Sequence, residues 1–148
     1  MINKFTSSAT LFLFFGVLSG FATLPAEEDD HIVAATLILE AGGEYDEGAM
    51  EAVYEVIVNR AKLRYMTVVE VCLQRKQFSC WNNVKIPVGI HHARSHPRWD
   101  QALSIVNSPL TNYTKGADHY HADYIKDPYW AKSLTKTTKI GRHIFYKQ

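Results

Sequence analysis

The 148-residue chain contains little cysteine and almost no excess of charge of either sign. Two cysteines are too few for the disulfide-dense class of small secreted domains. The 16 Lys and Arg residues against 15 Asp and Glu residues give a formal net charge of +1, which excludes a polybasic binder of nucleic acid. No internal repeat, low-complexity tract or long linker divides the sequence, so a single folded domain is predicted.

The near-zero net charge hides a strong segregation of charge along the chain. Residues 27–58 contain ten acids and no Lys or Arg, whereas residues 59–148 contain 15 bases and five acids. Such segregation is usually no more than a solvated face. A basic rim would also favour a substrate that carries carboxylates.

The sequence also lacks an apolar run long enough to span a bilayer. Residues 9–24 form the apolar stretch, and its 16 residues fall short of the roughly 20 that a spanning helix needs. Lys4 precedes this stretch, and Pro25 and Ala26 separate it from acidic residues, as is typical of a signal peptide. We therefore predict a signal peptide over residues 1–26, a catalytic domain over residues 27–148, and export to the periplasm or the exterior. Retention of the first segment as a signal anchor is the alternative.

The two cysteines, Cys72 and Cys80, are too far apart for a C-x-x-C motif. In an oxidising compartment they could pair and close a short loop, and we favour this disulfide. Two buried free thiols are the alternative.

Hydrophobic periodicity predicts helices first and strands later. Helices are predicted over residues 32–40, from a cap near Asp46 through Ala61, over residues 67–73, and from Ser95 to Val106. The second helix is expected to carry Glu47, Glu51 and Glu55 on its outer face. Strands are predicted over residues 118–124 and 140–147. The expected fold class is α+β, with N-terminal helices followed by a small antiparallel sheet.

Glu40 is the strongest candidate for a catalytic residue. It ends the apolar run 37–39 and precedes the helix-breaking pair Gly42 and Gly43. Apolar neighbours and the negative end of a helix dipole both favour a protonated carboxyl group, which is the form a general acid requires. A Glu that is merely solvated at a helix end, or paired with a base, is the alternative interpretation.

Aromatic and polar residues that suit a carbohydrate follow in residues 77–82 (QFSCWN) and in the C-terminal part of the chain. Aromatic rings stack on sugar faces, and Ser and Asn bond hydroxyl and acetamido groups. Such rings more often pack in cores, so this pattern alone has low specificity.

A second chemistry is indicated by His119 and His121. On a strand these side chains would share a face, a spacing that can bind zinc. The chain has no H-E-x-x-H motif, so a zinc site is the weaker interpretation.

Six segments resemble, in order, the SleB-like cell wall hydrolases, a family whose named members lyse spore-cortex peptidoglycan. The matching segments are residues 39–44 (LEAGGE), 47–60 (ending in VNR), 77–82 (QFSCWN), 116–122 (GADHYHA), 128–131 (PYWA) and 140–146 (IGRHIFY). One such segment would be weak evidence, whereas six in order over residues 33–146 make a specific match.

The resemblance implies a compact lysozyme-related α+β domain with one essential Glu in an E-A-x-G-E motif, which is Glu40 here. It implies lytic transglycosylation between N-acetylmuramic acid and N-acetylglucosamine. Two positions depart from the family pattern, because Gly42 stands where Arg is usual and Asp118 where Thr is frequent. The missing Arg removes a charge partner for Glu40 or Glu44.

We therefore predict Glu40 as general acid and base, with Glu44 as the second carboxylate if the reaction is hydrolysis. The predicted substrate contacts are Phe78, Ser79, Trp81, His119, Tyr120, His121 and Trp130. The enzyme is expected to be a monomer that needs no metal or other cofactor. It would find peptidoglycan through its own cleft or through an accessory wall-binding protein. A zinc-dependent peptidoglycan amidase or peptidase, and a non-catalytic glycan-binding module, stay open as alternatives.

Overall fold

The computed structural model describes residues 26–148, so the predicted signal peptide lies outside it apart from Ala26. Within this part of the chain, helices precede a three-stranded antiparallel sheet, which confirms the predicted α+β class. The helices are α1 (Ala26–Ala41), α2 (Ala49–Arg64), α3 (Val68–Leu73), α4 (Ile86–Arg94) and α5 (Trp99–Val106), and the strands are β1 (His119–Ala122), β2 (Thr135–Ile140) and β3 (His143–Lys147). None of the helices in residues 26–148 has the length and apolar character needed to cross a membrane.

Helix α1 lies at the centre of the helical layer. Residues 32–38 are all buried, as expected of a helix that is apolar on every side. Thr36 is the polar residue in this stretch, and its hydroxyl donates to the carbonyl of Ile32 at 2.8 Å. Helices α2, α3, α4 and α5 all pack against α1. The predicted buried helix is thus confirmed, and Glu40 lies in its last turn.

Helix α2 begins differently from the prediction. Its N-cap is Gly48, with φ of 87°, and no side chain caps it, so the proposed cap near Asp46 is wrong. Glycine adopts this left-handed conformation without strain, and a Cβ here would lie 3.2 Å from the Tyr113 ring. Glu55 was expected on an outer face but is buried, with 3% of its surface exposed. The segment that contains Tyr113 covers that face of α2.

The shorter helices follow the sequence only in part. Thr67 caps α3 as predicted, because its hydroxyl accepts from the Glu70 amide while the Glu70 carboxylate accepts from the Thr67 amide. Helix α5 begins after Arg98 rather than at Ser95. Helix α4 was not predicted, because Pro87 and a glycine interrupt its helical pattern. That proline is tolerated since it lies in the first turn.

The sheet has the strand order β1–β3–β2, and both pairings are antiparallel. The strand predicted over residues 140–147 is confirmed as β3 from His143 onward, whereas Ile140 ends β2, because Gly141 turns the chain with φ of 54°. Strand β2 was missed since its sequence is polar and largely exposed. Phe145 lies opposite Tyr120 and packs with Ala52 and Val56 of α2, so the sheet rests on that helix.

The predicted disulfide is not formed, because Cys72 and Cys80 are free thiols. Cys72 lies in the core on α3, and burial raises the pKa of its thiol to about 12. Cys80 lies in the 3₁₀ turn Ser79–Trp81 and is half-buried. Burial, followed by the nearby charge of Glu40, raises the pKa of its thiol.

Candidate active site

A groove of about 350 Å³ opens beside the C-terminal end of α1 and contains Glu40. The structure brings together here five of the residues predicted from the sequence, namely Glu40, Ser79, Tyr120, His121 and Trp130. The groove also contains six residues that were not proposed as site residues: Arg60, Lys76, Gln77, Asn82, Ile125 and Pro128. The site therefore combines α1, α2, the segment 76–82, strand β1 and the segment after it.

Helix α2 holds the chain that leads into β1. Asn59 donates its side-chain amide to the carbonyl of Ala117 at 2.8 Å, and Arg60 donates its Nε to the carbonyl of Asp118 at 2.7 Å. Both carbonyls belong to residues just before β1. These two bonds fix where the strand begins, and thereby bring Tyr120 to Glu40.

The carboxylate of Glu40 accepts a hydrogen bond from Tyr120. The Tyr120 hydroxyl donates to Glu40 Oε2 at 3.0 Å, and the Cys80 thiol lies near the same carboxylate. Burial, followed by the charge of Glu40, raises the pKa of the Tyr120 phenol well above its usual value. The same two causes, in the same order, raise the pKa of the Cys80 thiol. Both groups therefore keep their protons near neutral pH, and the Tyr120 hydroxyl acts on Glu40 as a donor.

Arg60 supplies a positive charge below the groove. Its guanidinium carbon lies 5.5 Å from the centre of the Phe78 ring and 6.0 Å from that of Tyr120. Burial lowers the pKa of Arg60, and nearby Tyr120, Asp118 and Glu40 oppose this effect, so the guanidinium stays charged. Arg60 thus places a positive charge near Glu40, without a direct ion pair among the described residues, in a chain that has glycine at position 42.

Glu44 lies outside the Glu40 groove. Its Oε2 accepts a hydrogen bond of 3.3 Å from the Arg142 amide in the turn between β2 and β3. The guanidinium of Arg98 donates to the carbonyls of Gly42 and Glu44, and so holds the loop that follows α1. The position of Glu44 therefore favours a role in joining this loop to the sheet.

His143 lies beneath Tyr120 and was not predicted as a site residue. The two rings meet edge to face with their centres 5.0 Å apart, and 7% of His143 is exposed. Burial lowers its pKa, while the charges of Glu44 and Glu40 oppose this shift. Its Nδ1 is enclosed and has no hydrogen-bond partner among the described residues. A neutral imidazole at this position supports the Tyr120 ring.

Two predicted aromatic contacts lie away from the Glu40 groove. Phe78 is only 2% exposed and packs against Arg60, so its ring presents no face to a sugar and we withdraw it as a substrate contact. Trp81 donates its indole N–H to the Thr36 hydroxyl at 2.9 Å and packs closely on Gly89. Its main contacts thus join the segment 79–81 to α1 and α4.

The two histidines of β1 form an aromatic cluster with Trp130. Their ring centres lie 5.1 Å from Trp130 for His119 and 5.8 Å for His121, so they share a face of the sheet as predicted. His119 Nδ1 lies 3.0 Å from Asp118 Oδ1, and His121 Nε2 lies 3.1 Å from the Tyr146 hydroxyl. Of the predicted contacts, His121 and Trp130 line the groove, whereas His119 supports Trp130 from the side.

These contacts bear on the zinc alternative. In residues 26–148 no three side chains of His, Cys, Asp or Glu converge in a way that could hold a metal ion. The ring nitrogens named above are engaged with Asp118 and Tyr146. The donor set therefore does not fit the three-ligand centre of a zinc amidase.

A sequence profile of the family described as Cell Wall Hydrolase matches residues 43–146. The chain belongs to the cell wall hydrolase family. This confirms the resemblance drawn from the six segments and shows that the protein is an enzyme of that family. The match begins just after Glu40, so the assignment of that residue depends on the groove geometry. No curated protein matches this hydrolase significantly.

Two solved structures have the same fold as this hydrolase. The catalytic domain of the Bacillus cereus SleB protein is 22% identical, with a TM-score of 0.59 over 87% of this chain and 99% of that one. The catalytic domain of the germination-specific lytic transglycosylase SleB from Bacillus anthracis is 23% identical, with a TM-score of 0.62 over 88% and 100%. The α+β fold expected from the sequence is thereby confirmed.

Replacement of Tyr120 by Phe should lower the turnover number of the hydrolase. The variant keeps the ring that packs on His143 and loses one donor to Glu40. A hydrogen bond to a charged group contributes about 1.5–3 kcal/mol, which corresponds to a rate loss of roughly 10- to 100-fold. The rate of muropeptide release from sacculi measures this loss.

The control for this variant is Tyr65→Phe. It removes a hydroxyl from a side chain that is 98% exposed and does not line the Glu40 groove. If both variants reduced turnover equally, the Tyr120 hydroxyl would have no specific effect on Glu40.

Proposed function

We propose that this cell wall hydrolase cleaves the glycan strand of peptidoglycan between N-acetylmuramic acid and N-acetylglucosamine by lytic transglycosylation. One observation carries the proposal: among the described residues that line the groove, Glu40 is the single acid. Hydrolysis by the usual two-carboxylate routes needs a second carboxyl group near the scissile bond. Transglycosylation needs one carboxyl group and consumes no water.

In the first step Glu40 donates its proton to the glycosidic oxygen. The bond from that oxygen to C1 of the muramic acid breaks, the N-acetylglucosamine side leaves as an alcohol, and an oxocarbenium-like centre forms at C1. In the second step the 6-hydroxyl of the same muramic acid attacks C1, and its proton passes to the Glu40 carboxylate. The product carries a 1,6-anhydro ring, and Glu40 is protonated again.

The groups around Glu40 suit the state between these two steps, in which Glu40 has given up its proton. Once the proton has left, the carboxylate accepts a hydrogen bond from Tyr120, and the charge of Arg60 lies close by. Both stabilise the negative charge that develops on Glu40 as its proton leaves. Donors fixed before the reaction stabilise charge without reorganisation.

The walls of the groove suit a sugar chain. Trp130, partly exposed beside the histidines of β1, is the aromatic residue that we assign to stacking on a sugar ring. Ser79, Gln77 and Asn82 on the opposite segment carry donors and acceptors for hydroxyl and acetamido groups. His121 completes the polar lining.

The experiment that tests the proposal is mass spectrometry of muropeptides released from purified sacculi by the protein. We expect products that end in 1,6-anhydro-N-acetylmuramic acid. Reducing ends formed with incorporation of oxygen from labelled water would instead show hydrolysis, and would direct attention to Glu44. Products cut at amide bonds would contradict both glycan-cleaving mechanisms.

For delivery to this substrate, we propose that residues 1–26 act as a signal peptide and that residues 27–148 form the exported catalytic domain. The support is the arrangement of Lys4, the apolar stretch and Ala26 in the sequence. Export would bring the groove to the cell wall, the substrate expected for this family.

A further inference from the structure

A second groove runs between α2 and α5, away from Glu40. It consists of two depressions, of about 270 and 440 Å³, which share Glu51 and Gln101. One end is largely apolar and is lined by Tyr54, Ile105, Pro109 and Leu110. The other end is formed by Tyr45, Glu47, Gly48, Arg98 and Tyr113. We call this the α2–α5 groove.

Glu51 lies where the two depressions meet, and its carboxylate has no internal partner. Among residues 26–148 no side chain or amide donates to it, and its Oε2 is enclosed. Glu55, one turn further along α2, contrasts with it. The Glu55 carboxylate accepts four hydrogen bonds, from Thr111, Tyr113 and Thr114. A carboxylate left without donors is costly in a partly buried place, so a ligand that donates would be favoured here.

The charge of the groove favours a cation as that ligand. Arg98 is the cation that lines it, and its guanidinium already donates to the carbonyls of Gly42 and Glu44 and to Gln101 Oε1. The remaining charges come from the acids at positions 47, 51 and 55. Tyr45 is fully exposed and Tyr113 is 48% exposed, so aromatic faces are available to a cation as well.

We propose that the α2–α5 groove binds an alkylammonium group, with the ammonium at Glu51 and the alkyl chain toward Ile105 and Leu110. In peptidoglycan this chemistry belongs to the side-chain amine of the diamino acid in the stem peptide. That identification rests on the proposed function, whereas the alkylammonium chemistry rests on the groove alone. The site would hold a stem peptide of the wall while Glu40 acts on a glycan strand.

The first experiment titrates the ¹⁵N-labelled protein with Nα-acetyl-lysine amide and follows amide shifts by NMR. We expect shifts in residues 101–113, with weak affinity. The Nε-acetylated probe has the same chain without the charge and should bind at least tenfold more weakly, because it cannot form a charged hydrogen bond. Glu51→Gln should weaken binding of the charged probe by a similar factor.

Asp100→Asn is the matched control. It removes one negative charge from an exposed residue in the first turn of α5 that does not line the groove, and it should leave the affinity unchanged. Equal loss in both variants would show a general charge effect and would overturn the site. Equal binding of the charged and acetylated probes would also overturn it, as would shifts confined to the Glu40 groove.

A second experiment tests the link to the wall. Sacculi whose amines have been acetylated should bind wild-type protein as weakly as untreated sacculi bind Glu51→Gln. If the lysine probe binds at Glu51 while acetylated sacculi bind normally, the stem-peptide identification is wrong. If the probe binds and the protein releases no glycan fragments, the proposed function fails while the alkylammonium site stands.

Discussion

The Glu40→Gln variant should release muropeptides from sacculi at a rate roughly 10²- to 10⁴-fold below that of wild type. This is the range that loss of a general acid produces. Glutamine has nearly the shape of glutamate and can still accept from the Tyr120 hydroxyl, so the groove should stay intact. It cannot deliver a proton to the glycosidic oxygen. The loss should therefore appear in the turnover number, with the thermal unfolding midpoint close to that of wild type.

The control is Glu70→Gln, which keeps the capping box of α3 and lies outside the groove. It should retain wild-type activity. Glu44→Gln distinguishes the two glycan-cleaving reactions. Hydrolysis with Glu44 as second carboxylate predicts a loss comparable to that of Glu40→Gln, whereas transglycosylation by Glu40 alone predicts a much smaller change. Wild-type turnover in a folded Glu40→Gln protein would contradict the assignment of the acid.

The largest loss of stability is expected from Glu55→Ala. The Glu55 carboxylate accepts from the amides of Tyr113 and Thr114 and from the hydroxyls of Thr111 and Thr114. Alanine would leave two backbone donors without an acceptor, and each costs about 1–3 kcal/mol, so the free energy of unfolding should fall by about 3 kcal/mol. Urea unfolding at neutral pH measures this loss. Glu47→Ala, at an exposed acid just before α2, should change stability by less than about 0.5 kcal/mol.

The contribution of Glu55 should depend on pH in a defined direction. Burial by itself would raise the pKa of Glu55, but the hydrogen bonds from Thr114, Thr111 and Tyr113 outweigh it and hold the pKa below its usual value of 4.5. A lowered pKa in the folded state means that the stabilisation is complete above that usual value and is lost as pH falls through the folded pKa. The difference between wild type and Glu55→Ala should therefore shrink in strong acid. A difference that stayed constant from neutral pH to strong acid would contradict this account.

Loss of Glu55 should also reduce activity, although the residue lies outside the Glu40 groove. Its four hydrogen bonds fix the segment 111–114, from which the chain leads to β1 and Tyr120. The sequence indicated Glu55 only as an acid on an outer face, because helical spacing cannot show that a distant loop returns to cover that face. Only the folded chain brings the hydroxyls and amides of this segment to α2.

Arg60 and the two cysteines are further residues whose contacts could not be predicted from the sequence. Arg60 lies within a segment that matched the family. The residues around it in the sequence did not indicate that its charge would lie near Glu40. Cys72 and Cys80 suggested a disulfide by number and compartment. Their bonding depends on which way each side chain points, and in the folded chain both thiols are free. Helix α4 and strand β2 were missed because their local patterns are weak, and contacts with α1 and β3 stabilise them.

The sequence by itself determined the α+β class, the buried helix α1, the cap of α3, and the cell wall hydrolase family. These depend on local periodicity, on capping residues and on the order of short motifs, all of which can be read along the chain. Only the tertiary structure decided which residues surround Glu40. It placed Tyr120, Cys80 and Arg60 there, left Glu44 at the turn before β3, and buried Phe78. The physical reason is that the residues around Glu40 lie 20 to 80 positions away from it in the sequence. The packing of α1, α2 and the sheet brings them to it.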